Sequence, residues 1–117
     1  MIDLSAFLHL ADIDLGPLKP KPTTIEGNQM EAALSLYTSP DEKVDIGIWE
    51  CTPGRFTADR SESSEFCHFL KGLVELTHAD GRVQRFGPGD AFNLPLGWKG
   101  EWRVIEHVRK VYVAVEK

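Results

Sequence analysis

From about residue 40 to its end the chain is broken by glycine, proline and aspartate roughly every ten residues, with no helical apolar period between the breaks. The breaks are Ser39-Pro40-Asp41, Pro53-Gly54, Lys71-Gly72, Asp80-Gly81, Gly87-Pro88-Gly89 and Pro95-Leu96-Gly97. Asp80-Gly81 is a hairpin turn, in which glycine supplies the positive φ. Between these corners the residues favour extended backbone, and the pattern predicts short strands over 34–37, 44–52, 55–57, 65–70, 73–77, 82–86, 91–94, 102–105 and 108–115. Short strands in this rhythm, with no helices alternating between them, lead to an all-β sandwich or barrel.

The first thirty residues follow a different grammar. Leu4, Phe7, Leu8 and Ala11 fall at helical spacing, consistent with a short helix within 1–16. Pro17, Pro20 and Pro22 then impose an extended path with few backbone donors. Such an arm lies along its own body or a partner subunit, or is a loosely held leader. The division expected is an N-terminal arm over 1–30 and one β-barrel domain over 31–117, since 117 residues make one domain and no more.

Charge and cysteine content narrow the partners. The net charge is −5 and the basic residues are scattered, so neither nucleic acid nor an anionic membrane surface is expected as a partner. No secretory leader is evident, and the longest strictly apolar run, 111–115, is far too short to span a bilayer as a helix. Cys51 and Cys67 are too few for a disulfide framework and are expected as two buried thiols. These features imply a cytoplasmic protein.

Two segments carry a resemblance. Glu65-Phe66-Cys67-His68-Phe69-Leu70-Lys71-Gly72 has a glutamate followed seven positions on by glycine; Gly89-Asp90-Ala91-Phe92-Asn93-Leu94-Pro95-Leu96-Gly97 has the order Gly, Pro, Gly. They resemble the two signature segments of the cupin superfamily, whose members are jelly-roll (double-stranded β-helix) barrels. Gly47 to Gly54, Glu65 to Cys67, Gly97 to Trp102 and Val108 to Val113 are similar to a subgroup of small single-domain cupins, related to the cupin domains of (S)-ureidoglycine aminohydrolase and ethanolamine-utilisation proteins. The resemblance extends over about 30–115 and implies a cupin barrel that forms homodimers.

The resemblance also implies a metal site that these residues do not supply. Metal-binding cupins carry a His-any-His pair shortly before the motif glutamate and a further histidine after the second motif. Here the equivalent positions are Ala58-Asp59-Arg60-Ser61 and Gly100, so only Glu65 remains of the ligand set. One carboxylate is too few for a transition metal. A replacement set would have to come from Glu65, Cys67 and Asp59 or Glu101. No metal and no other cofactor is therefore expected.

Strand alternation puts Glu65, Cys67 and Phe69 on one face and Phe66 and His68 on the other. Glu65 inside an apolar barrel would have a raised pKa and serve as acid, base or substrate anchor. Cys67 shares its face, either as a ligand contact or as an inert buried thiol. Trp98 and Trp102 suit an apolar ligand mouth or simple packing, and Trp49 suits packing. Val111, Val113 and Val115 read as the core face of the last strand, which turns Lys110 and Tyr112 outward; the inverted strand would bring both into the lumen as polar site residues. Arg55 and Glu50 are further lumen candidates, and Asp90 is expected to shape its turn. Two functions remain open. One is a module that binds a small polar metabolite without metal. The other is a metal-independent enzyme, aminohydrolase- or isomerase-like, acting on a nitrogenous or sugar-like metabolite with Glu65 as acid/base.

Overall fold

The structure, a computed structural model, describes all residues from 1 to 117 and contains nine β-strands and no helix. They are β1 (Lys19–Pro20), β2 (Thr24–Glu26), β3 (Met30–Thr38), β4 (Val44–Cys51), β5 (Gly54–Asp59), β6 (Ser63–His78), β7 (Val83–Phe86), β8 (Ala91–Leu94) and β9 (Lys99–Glu116). No helix is present that could cross a membrane.

Two long strands organise the molecule. β6 and β9 run antiparallel along nearly their whole length, from Ser63 opposite Glu116 to His78 opposite Gly100. The first half of β6 also pairs with β8 and the second half with β7; the first half of β9 pairs with β5 and the second with β4. The strands therefore form two sheets that share β6 and β9 and curl toward one another: β8-β6-β9-β4-β3-β1 on one side and β7-β6-β9-β5-β2 on the other. This is one of the two all-β forms the turn rhythm allowed, and the jelly-roll barrel that the resemblance implies.

The breaks expected at Lys71-Gly72 and after Ile105 are bends, not ends. Register shifts between Phe69 and Val74 let β6 pass from one sheet to the other without losing its pairing to β9. Gly72 makes the bend with φ +91, and any Cβ there would run into the backbone of His107 and Val108 on β9.

Both faces of the β8-β6-β9-β4-β3-β1 sheet are covered. Inside lies a core of Trp49, Cys51, Phe56, Cys67, Phe69, Val74, Leu76, Leu94, Trp102, Val104 and Val108. Outside, a second cluster joins Leu15, Ala32 and Ile48 to Leu10, Ile13, Leu18, Leu34, Leu36, Leu70 and Val111. The N-terminal segment thus lies on its own barrel. Its anchor is Arg109, which donates to the carbonyls of Leu10 at 3.1 Å and Ile13 at 2.8 Å and to Glu50 at 2.9 Å. The helix suggested for residues 1–16 does not form. One turn closes on the His9 carbonyl instead, and Leu10, Ile13 and Leu15 pack along the sheet, a surface an extended chain covers more fully than one helical face does.

Candidate functional site

The inward face of β9 is defined by Trp102, Val104 and Val108, all almost inaccessible. Continuing the alternation brings Lys110 and Tyr112 inward and turns Val111, Val113 and Val115 outward. This corrects the orientation expected from the valines. Val111 is apolar because the N-terminal segment covers it, so hydrophobicity along β9 marks the outer sheet face as well as the core. Gly47 permits the arrangement: it is opposite Tyr112, and a Cβ there would overlap the phenol ring.

Lys110 enters a cavity of about 670 Å³ between the two sheets, open to solvent. Its walls include Trp49 from β4, Phe56 from β5, Glu65 from β6, and Trp102 and Tyr112 from β9, with Arg60 and Lys21 at the sides. The Lys110 ammonium is 3.2 Å from Glu65 Oε1 and 3.3 Å from Cys67 Sγ. It also lies 4.3 Å from the centre of the Trp102 ring and 4.6 Å from that of Trp49. A buried ammonium is costly unless paired, and here one carboxylate and two indole faces replace its water.

The pair sets its own protonation. Burial pushes the Glu65 carboxyl up, but the positive charges of Lys110 and Arg60 and the Lys110 hydrogen bond outweigh it, so its pKa is held below 4.5. This corrects the expectation of a raised pKa, which did not foresee two cations beside the carboxylate. Burial pulls Lys110 down, but the Glu65 charge outweighs it and the pKa is raised above 10.5. The Cys67 thiol is pushed up to about 12, chiefly by burial, so it is a neutral thiol that accepts from Lys110 and donates to Glu65 at 3.4 Å. It is not a nucleophile at neutral pH. Tyr112 is held in its phenol form, first by burial and then by its hydrogen bond to Asp45 at 2.9 Å.

Of the residues singled out from the sequence, Glu65, Trp102, Lys110 and Tyr112 line one cavity and Cys67 supports it from behind. Arg55 and Trp98 do not join them. Arg55 leaves the lumen because acidic partners hold it at the outer surface: it bonds Glu101 at 2.6 Å and Glu26 at 3.1 Å. Trp98 turns to the other side of β8, where its indole donates to His78 Nδ1 at 3.0 Å. Glu50 pairs with Arg109 on the outer face, and Asp90 accepts from Gly87 N within its turn. Sequence reasoning missed Lys21, Arg60 and the cavity role of Trp49. Lys21 lies 4.2 Å from the centre of the Phe56 ring and shares Glu31 with the Trp49 indole, both at 2.9 Å. Arg60 stood at the place of the missing histidines, which was its signal.

The donor set does not fit the metal that the fold family implies. Ala58, Asp59, Arg60 and Gly100 line the cavity with Glu65, as the resemblance requires, but none brings an imidazole. No three histidine, cysteine, aspartate or glutamate side chains are grouped to hold an ion. The substitute set fails as well: Glu101 is engaged by Arg55, Asp59 accepts from Ser61, and the Lys110 ammonium sits against both Glu65 and Cys67.

The family model of the EutQ-like cupin domain matches residues 38–112. The chain belongs to this family. Among solved structures, the EutQ-like chain is similar to a DUF861-family protein of unknown function from Pseudomonas syringae pv. tomato, with 22% identity over 86% of this chain and a TM-score of 0.74. It covers 45% of that protein, so it spans less than half of the relative's length. It is also similar to the EutQ protein of Clostridium difficile, with 20% identity, a TM-score of 0.64, and 75% of this chain and 69% of that one covered. A DUF861-family protein from Thermotoga maritima shares 37% identity over 56% of this chain and 73% of its own, with a TM-score of 0.53. No curated protein matches the chain.

Proposed function

We propose that this EutQ-like cupin domain binds a small polar metabolite in the cavity between its sheets and holds it with side chains, without a metal. The observation that carries this reading is the Lys110–Glu65 pair on the cavity wall, beneath Trp49 and Trp102. A fixed ammonium supplies the positive charge that a metal would bring, and aromatic walls with a few convergent polar groups suit a small ligand. The barrel, residues 31–117, holds the ligand and the arm, residues 1–30, contributes Lys21 to the wall. Two free buried thiols support a cytoplasmic setting. The exposed Ile2, Leu4 and Leu8 support a homodimer joined through the arm. The net charge of −5 argues against nucleic acid or membrane as partner.

A metal-independent enzyme is the second reading, favoured by the ionised Glu65 carboxylate in contact with a protonated lysine. In it Glu65 takes a proton as base and Lys110 stabilises negative charge on the substrate. The resemblance to the (S)-ureidoglycine aminohydrolase cupin domain supports a nitrogenous substrate in that case.

The test is a thermal-shift screen of neutral, zwitterionic and anionic metabolites, followed by indole NMR of Trp49 and Trp102. Binding at a hundredfold excess over Kd raises stability by about 2.7 kcal/mol. The reading falls if no compound moves either signal. For any compound that binds, loss of turnover in Glu65→Gln with binding retained would establish the enzyme; no turnover by the wild type would establish the binding module.

A further inference from the structure

Four cations line the cavity: Lys21, Arg60, Lys99 and Lys110. Three have a carboxylate of their own. Lys21 bonds Glu31 at 2.9 Å, Lys110 bonds Glu65 at 3.2 Å, and Lys99 faces Asp59 at 3.9 Å. Arg60 has none. Its nearest carboxylate oxygen is Glu65 Oε1 at 4.0 Å, beyond hydrogen-bond reach and already taken by Lys110. The Arg60 side chain donates no hydrogen bond to the protein, and its Nε is buried without a partner.

An arginine left without an acceptor beside a cavity is unusual, because the guanidinium carries five donors and is always charged. Its place at the cavity is set by the backbone. The backbone N–H of Arg60 donates to Trp98 O and its carbonyl accepts from Gly97 N, both at 2.8 Å, so the turn that carries it is clamped to the second motif. The backbone beneath the fork is thus fixed, while the guanidinium itself makes no hydrogen bond to the protein. Glu65 offers the complement: Oε1 serves Lys110 and Cys67, while Oε2 accepts nothing.

Resting on the binding function proposed above, we infer that the ligand is a small carboxylic acid, its carboxylate anchored end-on by Arg60 and a hydroxyl or amino group beside it donating to Glu65 Oε2. Arginine suits a carboxylate because two parallel N–H donors match its two oxygens. The aromatic walls then take the rest of the molecule.

The test uses glycolate, lactate and mandelate, each against its neutral amide, with inorganic phosphate as a separate arm. Binding is read by the Trp49 and Trp102 indole NMR signals up to 50 mM. Each acid that binds should do so at least tenfold more tightly than its amide. Arg60→Gln should erase that preference while the amide still binds and the fold is kept, with a small fall in melting temperature, because Lys110 remains hydrogen-bonded to Glu65 and the turn is held by backbone atoms. Lys99→Gln should keep the preference.

Equal binding of acid and amide overturns the carboxylate assignment and leaves the cavity's binding role standing. So does a preference that survives Arg60→Gln. Phosphate binding as tight as the best acid overturns it in favour of a phosphoryl ligand. If no probe binds, the carboxylate assignment fails, and the broader screen described above decides separately whether the cavity binds anything.

Discussion

Lys110 and Glu65 meet at 3.2 Å inside the barrel, with the lysine side chain only 5% exposed and the glutamate 16%. Each is the other's reason for being charged there. Lys110→Met leaves a carboxylate in the core with only Arg60 nearby, and should destabilise the protein by about 3–5 kcal/mol. Glu65→Gln strands the ammonium and should cost a similar amount. The double variant, Glu65→Gln with Lys110→Met, should lose much less than the two losses added together. Urea denaturation of the four proteins measures the coupling.

The same pair gives the stability a defined pH window. The Glu65 pKa is lower in the fold than its ordinary 4.5, so its contribution is complete above that value and vanishes as pH falls through the lower folded pKa. Lys110 is shifted above 10.5, so its contribution is complete below 10.5 and vanishes as pH rises through the higher folded pKa. The stability gap between wild type and the double variant should therefore be flat from about pH 5 to 10 and change outside it. Denaturation at pH 3, 7 and 11 checks this.

Cys51 and Cys67 are both buried, and burial pushes each thiol up to about 12. Neither should react with a thiol reagent at pH 8 while the protein is folded, and both should react at once in denaturant. A slow native reaction with the rate of global unfolding would agree; rapid labelling of Cys67 would contradict its place behind Glu65.

Arg109 ties the N-terminal segment to the sheet through the carbonyls of Leu10 and Ile13 and through Glu50. Arg109→Met should cost about 2–4 kcal/mol, since two carbonyls and a mostly buried carboxylate lose a charged donor. Limited proteolysis should then cut within residues 1–18 while the barrel stays intact.

Gly47 lies under Tyr112, where a Cβ would collide with the phenol and with the Leu34 carbonyl. Gly47→Ala should cost about 1–3 kcal/mol by overpacking and displace Tyr112 from Asp45. The Tyr112 ring signals by NMR and the melting temperature report the two effects.

Much of this architecture was legible in the chain. The corners at Pro53-Gly54, Asp80-Gly81, Gly87 to Gly89 and Pro95 to Gly97 stand where the structure turns, because glycine and proline act through local φ preferences that need no tertiary context. That Glu65, Cys67 and Phe69 share one face was also legible, since strand alternation has a fixed period of two; that this face is the inner one was decided by the structure, because Phe66 makes the opposite face aromatic too. The direction of Lys110 was not legible either. Alternation says that Lys110 and Val111 face opposite ways, but not which way is in, and the valines answered wrongly because the N-terminal segment makes the outer face apolar too.

The residues alone announced a turn-rich all-β fold, and the motif resemblance made it a barrel that keeps the motif glutamate without the histidines of a metal site. Tertiary structure alone decided that Lys110 neutralises that glutamate, that Arg55 and Trp98 leave the cavity, and that Arg60 stays in it without an acceptor. Turns and strand faces are set by neighbours along the chain. Charge pairing depends on which distant strands lie side by side, here β6 with β9: Lys110 stands opposite Phe69, and its side chain reaches Glu65 across more than half of the barrel sequence.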